Sequence, residues 1–167
     1  MKKITAKALA QAAGGVLAHE GNEPVAEHIS LDSRKMAGND LFVPLIGEKV
    51  DAHRFIEQAF GAGAVAVLTS EHDTAEDAEH AWIRVADTKK ALQDIGRYYR
   101  SRLSLPLVGI TGSVGKTTTR EMVAAALSAG FLVYKTPGNS NSQVGVPITI
   151  AEIPENAEIG VIELGMS

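Results

Sequence analysis

The 167-residue sequence contains no cysteine. Disulfides, thiolate zinc sites, iron–sulfur clusters and cysteine nucleophiles are therefore excluded, and the absence fits a cytosolic chain. There is no basic surplus either: 16 Lys and Arg against 20 Asp and Glu give a formal charge of −4. A protein that bound nucleic acid or a membrane surface mainly by charge would need the opposite sign, so neither is expected as a partner. Long apolar runs are missing as well. The longest uncharged stretch with real apolar content, Met122–Tyr134, is shorter than the roughly 20 residues of a membrane helix. Lys2-Lys3 ahead of an alanine-rich stretch imitates a signal peptide, but Lys7 and Gln11 interrupt it before an apolar segment forms. It reads as a short helix with Thr5 as N-cap and Gly14-Gly15 as the stop. The expectation is a soluble, cytoplasmic protein without membrane insertion, its oligomeric state left open.

The 45% hydrophobic content is enough for a real core, and at about 100–200 residues per domain the length allows one domain or two small ones. Charge is divided unevenly. Residues 1–83 carry 7 basic and 13 acidic side chains and residues 84–167 carry 9 and 7; the expected domains are 1–84 and 85–167. In the first, Asp40–Leu45 reads as a strand entered through the Gly38-Asn39 turn, Ala52–Phe60 as a helix, and Ala64–Leu68 and Trp82–Ala86 as further strands. The acidic stretch Glu71–His80 reads as a solvated loop or a short helix. In the second, Thr88 caps a helix with Ala91, Leu92, Ile95, Tyr98, Tyr99 and Leu103 on one side. Leu105–Thr111 reads as a buried strand, Lys116–Ala129 as a helix, and Phe131–Lys135 and Ile159–Leu164 as two more strands. Strands alternating with helices predict an α/β fold, and continuous apolar strands predict a parallel sheet covered on both faces.

Between the strand at 105–111 and its helix lies Gly109-Ile-Thr-Gly-Ser-Val-Gly-Lys-Thr-Thr-Thr119. Successive backbone N–H groups in such a turn form a concave anion site, and the helix N-terminus adds partial positive charge. Gly112 and Gly115 let the backbone approach a polyphosphate. Lys116 reaches its terminal phosphates, and the Thr117 hydroxyl can ligate Mg2+. Gly112, Ser113, Val114, Gly115, Lys116, Thr117 and Thr118 are the expected nucleotide-binding residues. The motif is a shortened G-x-x-G-K-T, with Ile110 where the longer form has glycine. Glu163 ends an apolar strand, the place for a metal-binding acid at the carboxyl edge of an open α/β sheet. By itself a strand-end glutamate is more often just solvated; next to a phosphate loop it becomes a candidate to hold Mg2+ opposite Thr117.

TGSVGKTTT at 111–119, TPGNSNSQVGVP at 136–147 and VIELG at 161–165 together resemble the Mur ligase family of peptidoglycan synthesis, and residues 32–68 are similar to that family's N-terminal UDP-binding domain. The family commonly has glycine where this chain has Ala52, and a second asparagine where it has Ser142. The resemblance implies a small N-terminal UDP-binding α/β domain followed by the start of a P-loop, parallel-sheet ATP-binding domain. It implies ATP and Mg2+, with Lys116 and Glu163 as catalytic residues and Thr117 and Glu163 at the metal. Ser33, Arg34, Gly47, Asp51 and His53 would hold the UDP part of the substrate, and Asn139 and Asn141 its peptide.

The activity it implies is ligation: ATP phosphorylates the terminal carboxylate of a UDP-N-acetylmuramoyl peptide, an amine attacks the acyl phosphate, and an amide forms with ADP and phosphate as products. The FVPLIGE and TPGNSNSQVGVP segments favour the member that joins D-alanyl-D-alanine to the UDP-N-acetylmuramoyl tripeptide. The alternatives are the member that adds the third residue, lysine or diaminopimelate, and a nucleotide-binding module without ligase chemistry. Only three central strands can be read, so the resemblance further implies that this chain is an inactive fragment, lacking the adenine contacts and the amine site.

Overall fold

The structure, a computed structural model, describes residues 1–22 and 25–165. Its backbone divides into two compact units, Lys3–Ile95 and Gly96 onward.

The first unit begins with β1 (Ile4–Thr5) and α1 (Ala6–Ala12), where the Thr5 hydroxyl accepts the Ala8 N–H. Gly14 takes φ +65° to end the helix. Then come β2 (Val16–His19), β3 (Val25–Ala26), β4 (His28–Ser30) and β5 (Asp40–Phe42). A 3-10 turn over Ala52–Phe55 leads into α2 (Ile56–Gly61), followed by β6 (Ala64–Thr69) and β7 (Ala81–Arg84). The sheet order is β2-β7-β6-β5-β4, parallel from β4 to β7 with β2 antiparallel at its edge; β1 and β3 pair separately. Its core gathers Phe42, Ile56, Ala59, Ala64, Val67 and Trp82.

The expected single helix 52–60 is thus two pieces. Asp51 explains the tight first turn, because its carboxylate accepts the His53 N–H at 2.9 Å. Ala52 has no positive φ, so alanine is tolerated where the family commonly has glycine.

α3 (Thr88–Arg102) runs across the boundary between the units. Its cap is Asp87 rather than Thr88: the Asp87 carboxylate accepts the Lys90 N–H, while the Thr88 hydroxyl donates to the Pro44 carbonyl. In the second unit β8 (Leu107–Ile110), α4 (Lys116–Leu127), β9 (Val133–Lys135), α5 (Gly145–Ala151) and β10 (Ile159–Glu163) follow. They form a parallel three-stranded sheet of order β8-β10-β9. Every residue of β10 is buried, whereas β8 is only half-buried. The expected buried strand at 105–111 is therefore shorter and more open, since the middle of the sheet goes to β10 and β8 lies at its edge.

The helix α5 was not expected. Ser142 sets it up, its carbonyl accepting the Val146 N–H and its hydroxyl the Gly145 N–H. Pro147 fits because the first turn of a helix has no use for its missing N–H. No helix among the described residues is long and apolar enough to cross a membrane.

Candidate functional site

In the second unit, the chain leaves β8 at Ile110 and enters α4 at Lys116 through a turn that demands glycine twice. Gly112 sits at φ +147° and Gly115 at φ +78°, conformations a side chain would strain. Gly115 offers no capping side chain, so the first N–H groups of α4 stay directed at the loop's concavity, as an anion site requires. The Lys116 ammonium donates to the Gly112 carbonyl at 2.8 Å. It therefore spans the loop it would serve. Ser113, Val114, Thr117 and Thr118 are exposed, as residues that must meet a ligand have to be.

Glu163 ends β10, whose register places it beside Ile110, the last residue of β8. Parallel pairing thus brings the strand-end glutamate to the mouth of the phosphate loop. The Thr117 hydroxyl lies 3.2 and 3.4 Å from the two Glu163 carboxylate oxygens. Glu163 is not a solvated strand end, being 1% exposed. A buried carboxylate must be paired or hydrogen-bonded, and Glu163 is both. Asn141 Nδ2 donates to Oε1 at 2.7 Å and Arg120 Nη1 to Oε2 at 3.0 Å. The Glu163 N–H donates to Thr136 Oγ1 at 2.9 Å. Asn141 is held in turn by its own carbonyl, which accepts the Gly165 N–H.

Of the two loop asparagines, Asn141 reaches the cluster and Asn139 is exposed. Arg120 had no role in the sequence reading. The signal was its spacing: three residues after Thr117, it lies on the same face of α4. The hydroxyl of Thr117 and the carboxylate of Glu163 are hard oxygen donors facing one another, a set that suits Mg2+.

The expected UDP-binding residues lie in the first unit and divide between two places. Asp51 and His53 line a cavity of about 330 Å³ together with Lys49, Val50, Arg54, Glu71 and His72. His53 is 3% exposed; its Nε2 accepts the Ser70 N–H at 3.1 Å, so Nδ1 donates to Asp51 Oδ1 at 2.6 Å. The His53 backbone N–H, and after it the His53 ring and Glu71, hold the Asp51 carboxyl below its ordinary pKa against the burial that would raise it. Gly47 closes the loop before this cavity, donating to the Val50 carbonyl.

Ser33 and Arg34 do not line the cavity. Ser33 is buried and donates to Gln58 Oε1, and the exposed Arg34 pairs with Asp32 through Nε and Nη2. The helix start at Ala52 is capped by the Asp51 side chain, so the positive groups lining the cavity are Lys49 and Arg54. His72 and His80 are built into the unit: His80 stacks on Phe60 with centroids 3.8 Å apart, and His72 meets Trp82 edge to face.

The Mur ligase family catalytic domain matches residues 25–100 and the Mur ligase middle domain matches residues 110–167. The chain is 44% identical, over all of its length, to the UDP-N-acetylmuramoyl-tripeptide–D-alanyl-D-alanine ligase of Bacillus subtilis, and 35% identical over 99% of its length to that of Escherichia coli. It covers 37% and 35% of those proteins, about a third of their length. Among solved structures, MurF from Acinetobacter baumannii superposes with a TM-score of 0.88 at 35% identity, covering 99% of this chain and 36% of that one. MurF from Thermotoga maritima in complex with ADP gives 0.71 at 33% identity, over 83% of this chain and 32% of that one. With family domains matched in both units and identity running through the whole of it, the chain belongs to the Mur ligase family.

Proposed function

We propose that this chain supplies the UDP-substrate domain and the phosphate-binding part of an ATP-dependent ligase that joins D-alanyl-D-alanine to a UDP-N-acetylmuramoyl tripeptide. The observation that carries the reading is the phosphate loop at the end of β8 facing Glu163 on the adjacent parallel strand, with Thr117 between them. Domain limits of 1–84 and 85–167 belong to the same reading.

On this reading ATP places its phosphates against the loop N–H groups, and Lys116 exchanges the Gly112 carbonyl for phosphoryl oxygens. Phosphoryl transfer asks little of a protein beyond position and charge neutralisation, which these groups supply. Mg2+, held by Thr117 and Glu163, would neutralise charge on the phosphates. The acceptor is the terminal carboxylate of the muramoyl peptide, which Asn141 is placed to orient, with Asn139 beside it. The carboxylate takes the terminal phosphoryl group with ADP as the leaving group, and an amine then displaces phosphate from the acyl phosphate to form the amide. The UDP end of the substrate lies in the first unit, along the Gly47–His53 segment with Lys49 and Arg54 toward its diphosphate, and Ser33 and Arg34 belong to the same substrate domain. A ligase working on soluble UDP precursors acts in the cytoplasm.

The test is turnover by a full-length ligase carrying this sequence, with D-alanyl-D-alanine, lysine and diaminopimelate offered as amines. Amide formation with D-alanyl-D-alanine alone is the expected result. Product only with lysine or diaminopimelate would move the chain to the neighbouring ligase, and no product with any amine would leave a nucleotide-binding module.

A further inference from the structure

The Arg120 side chain, 6% exposed, is enclosed in the second unit. Its Nη1 donates both to Glu163 Oε2 at 3.0 Å and to the Gly138 carbonyl at 2.7 Å. Nε and Nη2 both reach Glu121 Oε1, at 3.1 and 2.7 Å. Glu121 is paired in addition with Lys135. The charges thus alternate along Lys135–Glu121–Arg120–Glu163 and sum to zero. The Glu163 end of this chain carries the Thr117 hydroxyl and the Asn141 amide.

The Glu163 carboxylate at the mouth of the phosphate loop is therefore already neutralised by a buried guanidinium. A bare cation placed there would add two positive charges beside Arg120 in a poorly solvated setting, where like charges repel far more than in water. A cation carried by a polyphosphate arrives with surplus negative charge, and the same guanidinium then attracts the complex.

Resting on the metal assignment above, we propose that Arg120 is a positioning residue that makes occupation of the Thr117–Glu163 site conditional on nucleotide. Arginine fixes the Glu163 carboxylate toward Thr117 while withholding it from free metal. Lysine at this position would keep the charge, though not the two-sided contact with Glu121 and Gly138.

The experiment measures Mn2+ held by the 167-residue chain in equilibrium dialysis, with and without ATP, as the excess of metal on the protein side, since free Mn2+ and its soluble ATP complex distribute equally across the membrane. The wild-type chain is expected to bind Mn2+ weakly until ATP is added. Arg120→Met is expected to bind Mn2+ without ATP about tenfold more tightly or better, from removal of one adjacent positive charge, while Arg120→Lys stays at the wild-type level. Circular dichroism checks the fold, and Arg120→Gln replaces the methionine variant should that one not fold. Wild-type binding of Mn2+ that is equally tight with and without ATP overturns the inference whatever the variants do.

The metal reading is separated by Glu163→Gln. If this variant loses ATP-linked Mn2+ binding but Arg120→Met behaves as wild type, only the role of Arg120 is wrong. If Arg120→Met combined with Glu163→Gln keeps the gained Mn2+ affinity, the metal does not sit at Glu163 and both readings fall.

Discussion

Asp77 shows how much a single side chain can organise. Its Oδ1 accepts the N–H groups of Glu79 and His80 and lies 3.0 Å from the His80 ring, while Oδ2 accepts the Trp82 indole N–H at 3.0 Å. Burial alone would raise its pKa; the hydrogen bonds of His80, Glu79 and Trp82 outweigh it and hold the carboxyl below the usual range. A depressed folded pKa means the stabilisation is complete above the unfolded value, about 4, and is lost as pH falls from there through the folded value. Asp77→Asn should remove this dependence and cost about 1–3 kcal/mol, because the four donors meet a weaker acceptor. Trp82, the sole tryptophan, reports it directly: an acid titration followed by its fluorescence should shift in the variant, and identical titrations would show that Asp77 contributes nothing. In sequence this stretch showed only acidity. The positions of Lys116 and Thr117 at the loop and of Glu163 at a strand end were legible because loop spacing and strand ends are local features; the contact of Arg120 with Glu163 was not, since its spacing from Thr117 gains meaning only once β10 pairs with β8.

At the scale of elements, long periodic segments announced themselves and short ones did not. The fifteen-residue α3 has its apolar stripe inside, with Leu92 and Ile95 fully buried. The strands β2, β3 and β4 run to four, two and three residues, too short for alternation to be read, and they exist because neighbours supply their hydrogen bonds. Helix α5 hid behind glycine and proline, which ordinarily punctuate loops. A signal for its packing lay elsewhere, in Gly96. Glycine inside a helix costs about 1 kcal/mol relative to alanine, and here it buys close approach: a Cβ at 96 would lie 2.8 Å from Pro147 Cα. Gly96→Ala should therefore destabilise the chain by about 1–3 kcal/mol through overpacking, in spite of its better helix propensity. Chemical denaturation decides the sign, and a stabilised variant would mean that α3 and α5 do not meet as closely as they do here.

At the scale of the whole molecule, the central claim is that two separate binding chemistries share one chain: a phosphate loop for ATP in the second unit and a UDP-substrate domain in the first. The family was legible because its motifs lie in both halves of the sequence, at 32–68 and at 111–165. The division between the units at Ile95 and Gly96 lies inside α3, whose continuous periodicity carries no break to mark it. Separate sites make an asymmetric demand on Lys116. Its ammonium is the main cation at the phosphate loop and takes no part in the cavity lined by Lys49, Asp51, His53 and Arg54. The most direct measurement is isothermal titration calorimetry of the wild-type chain and Lys116→Ala, each titrated with ATP in the presence of Mg2+ and, separately, with UDP. The account predicts that the variant loses about a hundredfold or more in ATP affinity, on the scale of losing a key charge-stabilising donor, and binds UDP as the wild type does. Undiminished ATP binding by the variant, or a loss of UDP affinity as large as that for ATP, would contradict it.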